Sequence, residues 1–491
     1  MRITFVYLDL ATDDPTYSGY FYHGIAYLSA VLKKDGHQTN LIQLTKQISF
    51  AEFQKRIKVL KPDLISFSST SHMFHLVRQY AAVAKEITKV PIICGGVHPT
   101  ICPEEVLSDE NIDMICRGEG EMAFSELCQK IEKKEPTENI ESIWIKKDGK
   151  VFKNKIRPCI PDLNQLPFPD REIFDYPHLN LEKKGVGTFM FSRGCPYQCA
   201  FCCEFALRKL YPNPQNYIRF RSPQLAIAEI KETIKKYPFI KFVRFDDDLL
   251  FVDRGWVKEF TKFYQKEVGL PFSADMRADL ADEELFNTLK EAGAHLFRFG
   301  VESGNDYILK EVLNKGITTA QIKKAFKLSR KKGIKAQAYN MIGVPCEGVK
   351  EILDTIKLNA QIKPDISVVS IFYPYKGTHL YDFCLQKGFL KEEKEKIPQN
   401  YYSYSILSLP TIKKEQIDFL FHYFYFLKRI YSFLFKLPFS HPLVFLVDKI
   451  FSFRYAPKLI NAIFNPLRTT KRKILKIFSQ EIKQDTEAIS N

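Results

Sequence analysis

At 491 residues the chain is too long for one ordinary domain, and two or three domains are the natural division. Hydrophobic residues make up 45% and charged residues 26%, which excludes collagenous, low-complexity and largely disordered classes; only the last dozen polar residues depart from that balance. The formal charge is +15, and the final stretch from 411 to 491 holds 14 Lys and Arg against 6 Asp and Glu, so a large share of the basic excess sits in the last sixth of the chain.

The opening run Met1-Arg2-Ile3-Thr4-Phe5-Val6-Tyr7 enters a strand pattern directly, with no charged leader or long apolar region. That start predicts an intracellular, cytoplasmic protein. The eleven cysteines agree, being odd in number and scattered apart from a group at 195–203, unlike a secreted disulfide framework.

Short apolar runs alternate with helical patterns up to residue 134. The expected strands are Ile3–Leu8, Gln38–Leu44, Asp63–Phe67, Pro91–Cys94 and Met114–Cys116. The expected helices are Gly24–Lys34, Phe50–Leu60, Phe74–Ile87 and one over Glu121–Lys133. Such alternation predicts a parallel sheet with helices on both faces and a ligand site beyond the carboxyl ends of the strands.

Residues 135–186 read as a connector, with a hairpin around Lys147-Asp148-Gly149 and a proline-rich strap from Ile160 to Asp170. A second alternating series follows, with strands at Gly187–Phe191, Phe242–Phe245, Pro271–Ala274, Leu296–Val301, Ala336–Ile342 and Ile366–Ile371. Helices over Leu225–Lys236, Asp282–Ala292 and Ile317–Lys332 separate them. Six β/α units predict a partial or full parallel barrel with its chemistry at the strand C-terminal ends.

The first strand of this series runs into Ser192-Arg193-Gly194-Cys195-Pro196-Tyr197-Gln198-Cys199-Ala200-Phe201-Cys202, spaced Cys-x3-Cys-x2-Cys. Three thiolates on one compact loop suit three irons of a cubane and leave the fourth iron open to a ligand. A closed zinc site needs a fourth donor, for which Cys203 is the neighbouring candidate, and two adjacent cysteines rarely reach one metal.

This motif resembles the radical SAM superfamily, over roughly residues 187–375. The resemblance implies a [4Fe–4S] cluster on Cys195, Cys199 and Cys202 whose open iron chelates S-adenosylmethionine. It implies reductive cleavage of that molecule to methionine and a 5′-deoxyadenosyl radical. Asp246 and Asp247 would lie near the methionine end, or else merely cap the next helix. Glu302 would meet the ribose hydroxyls, Ile342 and Gly343 the adenine, and the backbone of Phe201 the adenine edge. Arg277 and Tyr339 read as scaffold more readily than as pocket residues.

A flavodoxin-like domain ahead of such a barrel resembles the cobalamin-binding subfamily of radical SAM enzymes. Three segments carry this: Ser68 and Ser69 after one strand, Gly95, Gly96 and His98 after the next, and Gly118 and Glu119 after the last. Small residues there would let backbone approach the nucleotide tail of cobalamin. The Asp-x-His-x-x-Gly motif of an axial histidine is absent. With Gly24 at the glycine, Phe21 stands at the histidine position, and the offset His23 reads as a surface residue. The competing reading is a cofactor-free domain packed over the barrel mouth.

From Phe419 to Phe464 aromatic residues mix with Lys428, Arg429, Lys436, Lys449, Arg454 and Lys458, and prolines at 438, 442, 457 and 466 divide the stretch into short helices. No apolar run is long enough to span a bilayer. The segment is either an amphipathic membrane-interface element, aided by the basic cluster Arg468–Lys476, or a helical cap over the active site. No nucleic-acid recognition motif accompanies the charge.

The expected architecture is therefore α/β. A flavodoxin-like (Rossmann-type) cobalamin-binding-like domain spans 1–134 and a connector 135–186. A (β/α)6 partial TIM barrel spans 187–400 and a helical C-terminal region 401–491. The expected activity is methyl transfer to an unactivated carbon of a small or lipid-like substrate, with flavodoxin or ferredoxin as electron donor. The rivals are cyclisation or rearrangement with the same cofactors, and a non-catalytic iron–sulfur or zinc protein that binds a membrane or a partner.

Overall fold

The computed structural model describes residues 1–10, 14–390, 404–453, 456, 457 and 460. The chain divides into two compact units, Met1–Leu270 with Tyr375–Tyr381, and Pro271–Pro374 with the chain from Asp382 onward.

The first unit opens with β1 (Arg2–Leu8), α1 (His23–Lys34), β2 (Gln38–Leu44), α2 (Phe50–Leu60), β3 (Leu64–Ser68) and α3 (Phe74–Ile87). It continues with β4 (Ile92–Gly95), the short α4 (Val97–Ile101) and α5 (Pro103–Leu107), β5 (Met114–Cys116) and α6 (Glu121–Lys133). Strands such as β3 and β5 are buried on both faces, which is why they read as unbroken apolar runs rather than alternating ones. One core, with Phe53, Val77 and Tyr80, covers one face of the sheet; another, with Phe5, Ile25 and Phe124, covers the other.

The strand order is β2-β1-β3-β4-β5, all parallel, extended by β6 (Ile143–Lys147) and β7 (Lys150–Lys153). The order reverses between β1 and β3, the topological switch point of a flavodoxin-like sheet, where ligands of such folds bind. The hairpin expected in the connector forms with Asp148 and Gly149 both at positive φ, the combination a type I′ turn needs. It adds to the sheet edge, β6 pairing antiparallel with β5, instead of standing apart. The proline-rich strap is also tied down, with Leu163 and Leu166 buried against Tyr27 and Val31 of α1.

The unit ends with β8 (Val186–Phe189), β9 (Ser192–Arg193), α7 (Cys203–Leu210), β10 (Arg219–Phe220), α8 (Pro223–Lys236), β11 (Phe242–Phe245) and α9 (Arg254–Glu267). β8 and β11 are parallel, whereas β9 and β10 form an antiparallel ribbon that the sequence reading did not foresee.

The second unit carries β12 (Phe272–Met276), α10 (Glu283–Glu291), β13 (Ala294–Glu302), α11 (Thr319–Lys331), β14 (Lys335–Ile342), α12 (Val349–Ile362) and β15 (Ile366–Ile371), its four strands parallel in sequence order. Asp282 caps α10, and Thr318 with Gln321 forms a capping box on α11, so both helices begin where a side chain replaces the missing backbone acceptor. β8, β11, β12, β13, β14 and β15 are the six strands of the β/α series. After α13 (His379–Gln386), the C-terminal region forms α14 (Lys414–Leu434) and α15 (His441–Ser452). Pro442 sits in the first turn of α15, where its missing N–H is harmless. Arg454, Lys458, Pro466 and the cluster Arg468–Lys476 lie outside the described residues.

Candidate functional site

The cysteine loop begins where β9 leaves the strand layer. Gly194, at φ 86°, has no room for a side chain, since a Cβ would lie 2.5 Å from the carbonyl oxygen of Tyr217. The loop is fixed on one side by Asp247, which follows β11. Its Oδ1 accepts hydrogen bonds from the N–H of Phe191 (2.8 Å), the hydroxyl of Ser192 (2.6 Å) and the N–H of Ser192. Burial pushes the Asp247 carboxyl up to about 7 against the pull of these donors.

On the other side Arg193 pairs with Glu119 (3.1 Å) and with Glu121. Glu119 also receives Arg219 (2.8 Å) and the N–H of Ile160 (2.8 Å). Burial works against its charge, but Arg193 and Arg219 prevail and hold the carboxyl below its usual range. The loop after β5 thereby anchors the residue two positions before the first cysteine.

Cys195, Cys199 and Cys202 are at most partly exposed. Burial pushes the Cys195 thiol up to about 11, with Asp248, Cys202 and Cys199 adding to the shift. Cys202 is raised first by its hydrogen bond with Cys203 and then by burial. Three cysteines on one partly buried loop, two of whose sulfurs oppose the ionisation of Cys195, are a donor set that fits an iron cluster: the metal supplies the positive charge that thiolates there need. Arg208 secures the loop by donating to the carbonyls of Cys195 (3.3 Å) and Pro196 (2.8 Å). Phe201 lies half-buried between the second and third cysteines.

The three aspartates after β11 divide their work. Asp247 is the anchor, Asp246 pairs with Arg244 (2.6 Å), and Asp248, the third of the run, bears electrostatically on Cys195 and Cys202. His23 corrects an expectation. It is a buried residue at the start of α1, not a surface one; neither ring nitrogen makes a hydrogen bond, and its Nε2 lies 3.9 Å from Asp246. Burial lowers it to about 4, so the ring is neutral at ordinary pH. Phe21, at the axial-histidine position, packs among Phe174 and Tyr176.

At the carboxyl ends of the N-terminal sheet, Ser68, Ser69, Gly95 and Gly96 come together. The N–H of Ser69 donates to Gly95 (2.9 Å), and Gly96, at φ 102°, approaches the Ser69 backbone so closely that a Cβ would sit 2.8 Å from its oxygen. Gly118 donates to the Thr100 hydroxyl (3.0 Å). His98 is buried; its Nδ1 meets Ser71 (3.1 Å) and its Nε2 lies 3.9 Å from Glu105. Burial lowers His98 to about 4. The buried, unpaired nitrogens of His23 and His98 and the tight glycine approach suit a domain that receives a large polar ligand at its strand ends.

In the second unit Glu302 ends β13 at φ 62°, a left-handed conformation that costs a non-glycine residue roughly 1–2 kcal/mol. Its Oε1 accepts from Lys315 (3.1 Å), and Gly300 leaves space for the carboxylate, since any Cβ there would collide with it. Arg277 is scaffold, held to Asp279 (3.0 Å) and donating to the Lys315 carbonyl (2.7 Å). The side chain of Ile342 lies in the core with Ile352, Ile356 and Ile417. Gly343, at φ 76°, turns the chain and donates to Glu347 (2.7 Å), as does Val344 (3.1 Å). Burial pushes Glu347 up to about 8. The sequence reading missed Glu347; the available signal was a carboxylate four residues past a strand-ending glycine, on a turn with free N–H groups.

Comparison with known proteins bears on this arrangement. Two family models match, the B12 binding domain over residues 19–128 and the radical SAM superfamily over residues 189–358. The chain is 28% identical to an uncharacterized methyltransferase, PH0819, of Pyrococcus horikoshii, covering 80% of this chain and 84% of that one. It is 25% identical to the anaerobic magnesium-protoporphyrin IX monomethyl ester cyclase of Rubrivivax gelatinosus, covering 73% of this chain and 65% of the cyclase. Its fold matches the radical S-adenosylmethionine methyltransferase TsrM of Kitasatospora setae, solved with cobalamin and a [4Fe–4S] cluster bound. There the TM-score is 0.63 at 15% identity, over 78% of this chain and 75% of that one. This chain is a radical SAM superfamily enzyme with an N-terminal B12 binding domain, and its cofactors are a [4Fe–4S] cluster, S-adenosylmethionine and cobalamin.

Proposed function

We propose that this enzyme transfers a methyl group to an unactivated carbon of a small or lipid-like substrate. The observation that carries the reading is the cysteine loop itself, braced by Asp247 on one side and by Glu119, from the loop that ends β5, on the other. A cluster loop tied directly to the strand ends of a B12 binding domain fits chemistry that uses both cofactors in one reaction. When bound, the cluster supplies the electron that cleaves S-adenosylmethionine, and cobalamin supplies a carrier for the methyl group.

The chain's residues then bind, orient and exclude water. Cys195, Cys199 and Cys202 ligate three irons and leave the fourth to the amino and carboxylate groups of S-adenosylmethionine. Asp246 serves its methionine end and Asp247 acts indirectly, by holding the loop. Glu302 receives the ribose hydroxyls, while Gly343 and the backbones of Ile342 and Phe201 border the adenine. Ser68, Ser69, Gly95, Gly96, His98, Gly118 and Glu119 border cobalamin; Glu119 shapes that site more than it touches it, because Arg193 and Arg219 already engage it. An electron donor such as flavodoxin or ferredoxin reduces the cluster. The enzyme works in the cytoplasm, at the inner face of a membrane where its substrate is lipid-like.

The names of the relatives support methyl transfer and keep cyclisation as the alternative. Anaerobic turnover of a lipid extract with methyl-deuterated S-adenosylmethionine, read by mass spectrometry, separates the two. A deuterated methyl group in a product supports the proposal. Formation of 5′-deoxyadenosine with an altered but unlabelled product overturns it in favour of cyclisation or rearrangement.

A further inference from the structure

Helix α14 has two faces of opposite fate. Ile417, Leu420, Phe424, Leu427, Tyr431 and Leu434 are buried in a core shared with α12 and β15. The opposite stripe, Phe426, Arg429, Phe433 and Lys436, recurs at intervals of three and four residues and stays exposed. The turn that follows presents Phe439, 92% exposed. On α15 only Phe451 is buried, while Leu443, Leu446 and Ile450 line one exposed face. Among the described residues, nine of the sixteen large exposed hydrophobics fall between 426 and 453. That concentration marks an interaction surface, since single exposed apolar residues are ordinary and a contiguous group is not.

The charges on this surface say what it meets. Arg429, Lys436 and Lys449 are exposed among the aromatic residues, and Lys449 lies over the Phe445 ring at 5.2 Å. The one carboxylate between 426 and 453, Asp448, is taken up by Lys357 (3.1 Å) and the Tyr431 hydroxyl (2.5 Å). An apolar face fringed by cations complements an anionic lipid surface. Pairing the same face with a second copy would bring like charges together, which disfavours self-association. Among the described residues no helix is long and apolar enough to cross a membrane.

We infer that the outer face of α14, the turn at Phe439 and the exposed face of α15 form a docking surface for an anionic membrane leaflet, with the helices lying in the interface plane. The inference rests on the lipid-like substrate reading only for its purpose, and its test does not depend on turnover. The reconstituted full-length protein is floated on a density gradient with vesicles of phosphatidylcholine plus phosphatidylglycerol, and with phosphatidylcholine alone. The variants are Phe433→Glu with Phe445→Glu, and separately Phe439→Asp; all three positions are exposed, and circular dichroism confirms folding.

The wild type should float with the anionic vesicles, more weakly with neutral ones and less in high salt. The double variant should lose partitioning by on the order of a hundredfold. S-adenosylmethionine cleavage in solution should be unchanged in every variant. A wild type that stays at the bottom with anionic vesicles overturns the inference, as do variants that float equally well. A wild type that does not float and is dimeric by light scattering, where the double variant is monomeric, assigns the face to a second copy and also overturns it. Loss of S-adenosylmethionine cleavage by the wild type counts against the proposed reaction and leaves the flotation result standing.

Discussion

The carboxylate of Asp247 accepts the hydroxyl hydrogen bond of Ser192 at 2.6 Å, three residues before the first cysteine of the loop. The same oxygen holds the N–H groups of Phe191 and Ser192, so one buried side chain sets the path of the chain into the cluster loop. Asp247→Ala removes all three acceptor contacts and leaves buried donors without a partner. It should cut iron incorporation on anaerobic reconstitution severalfold, while Asp247→Asn, which retains an acceptor oxygen, should recover much of it. Equal iron content in the Ala variant and the wild type would show that the loop is held by other contacts.

Glu347 gives a pH dependence. Its folded-state carboxyl stands at about 8, against about 4.3 for an unperturbed glutamate. The folded state therefore binds this proton more tightly than the unfolded state. The stability it contributes is full below about pH 4 and is lost as pH rises through about 8. Glu347→Gln keeps an acceptor for Gly343 and Val344 but does not titrate. Urea midpoints measured from about pH 5 to about pH 9 should fall for the wild type relative to this variant; parallel curves would contradict the assignment.

Glu229 joins two buried arginines, Arg171 at 3.1 Å and Arg221 at 3.0 Å, linking α8 to the connector. Glu229→Ala leaves both guanidinium groups without their counter-charge and should destabilise the first unit by about 3–5 kcal/mol in chemical denaturation. A loss below about 1 kcal/mol would mean that the backbone carbonyls already bound to the arginines suffice.

Glu302 is proposed to meet the ribose hydroxyls of S-adenosylmethionine. Glu302→Gln preserves size and the strained backbone but removes the charge that meets Lys315. S-adenosylmethionine affinity, measured by equilibrium dialysis, should weaken by about tenfold, the value of one charged hydrogen bond. An unchanged affinity would remove Glu302 from the binding site.

Much of this fold is written locally. β2, α2, α3, β5, α6, β11 and β15 begin and end where the sequence pattern placed them, because the pattern of each is local and is read without reference to distant partners. The cysteine spacing is equally local and was legible for the same reason. What escaped depends on residues far apart in sequence. Glu119 reaches Arg193 across 74 positions and Asp247 reaches Ser192 across 55, and neither partner signals the other. His23 looked exposed because a polar residue at a helix start ordinarily is; its burial follows from the connector and the segment after β11 packing over it. For the tail, composition announced aromatic, basic helices but not which face each would bury; in α14 one face packs with α12 and β15 and the other is exposed.

The proposed reaction requires that Cys195, Cys199 and Cys202 hold a cluster with one iron open to S-adenosylmethionine. Electron paramagnetic resonance of the reduced, reconstituted enzyme, before and after adding S-adenosylmethionine, tests it most directly. The expected result is a [4Fe–4S] signal whose g-values shift on addition and which is lost in Cys199→Ala. A signal that S-adenosylmethionine leaves unmoved, or one that survives in Cys199→Ala, would contradict it.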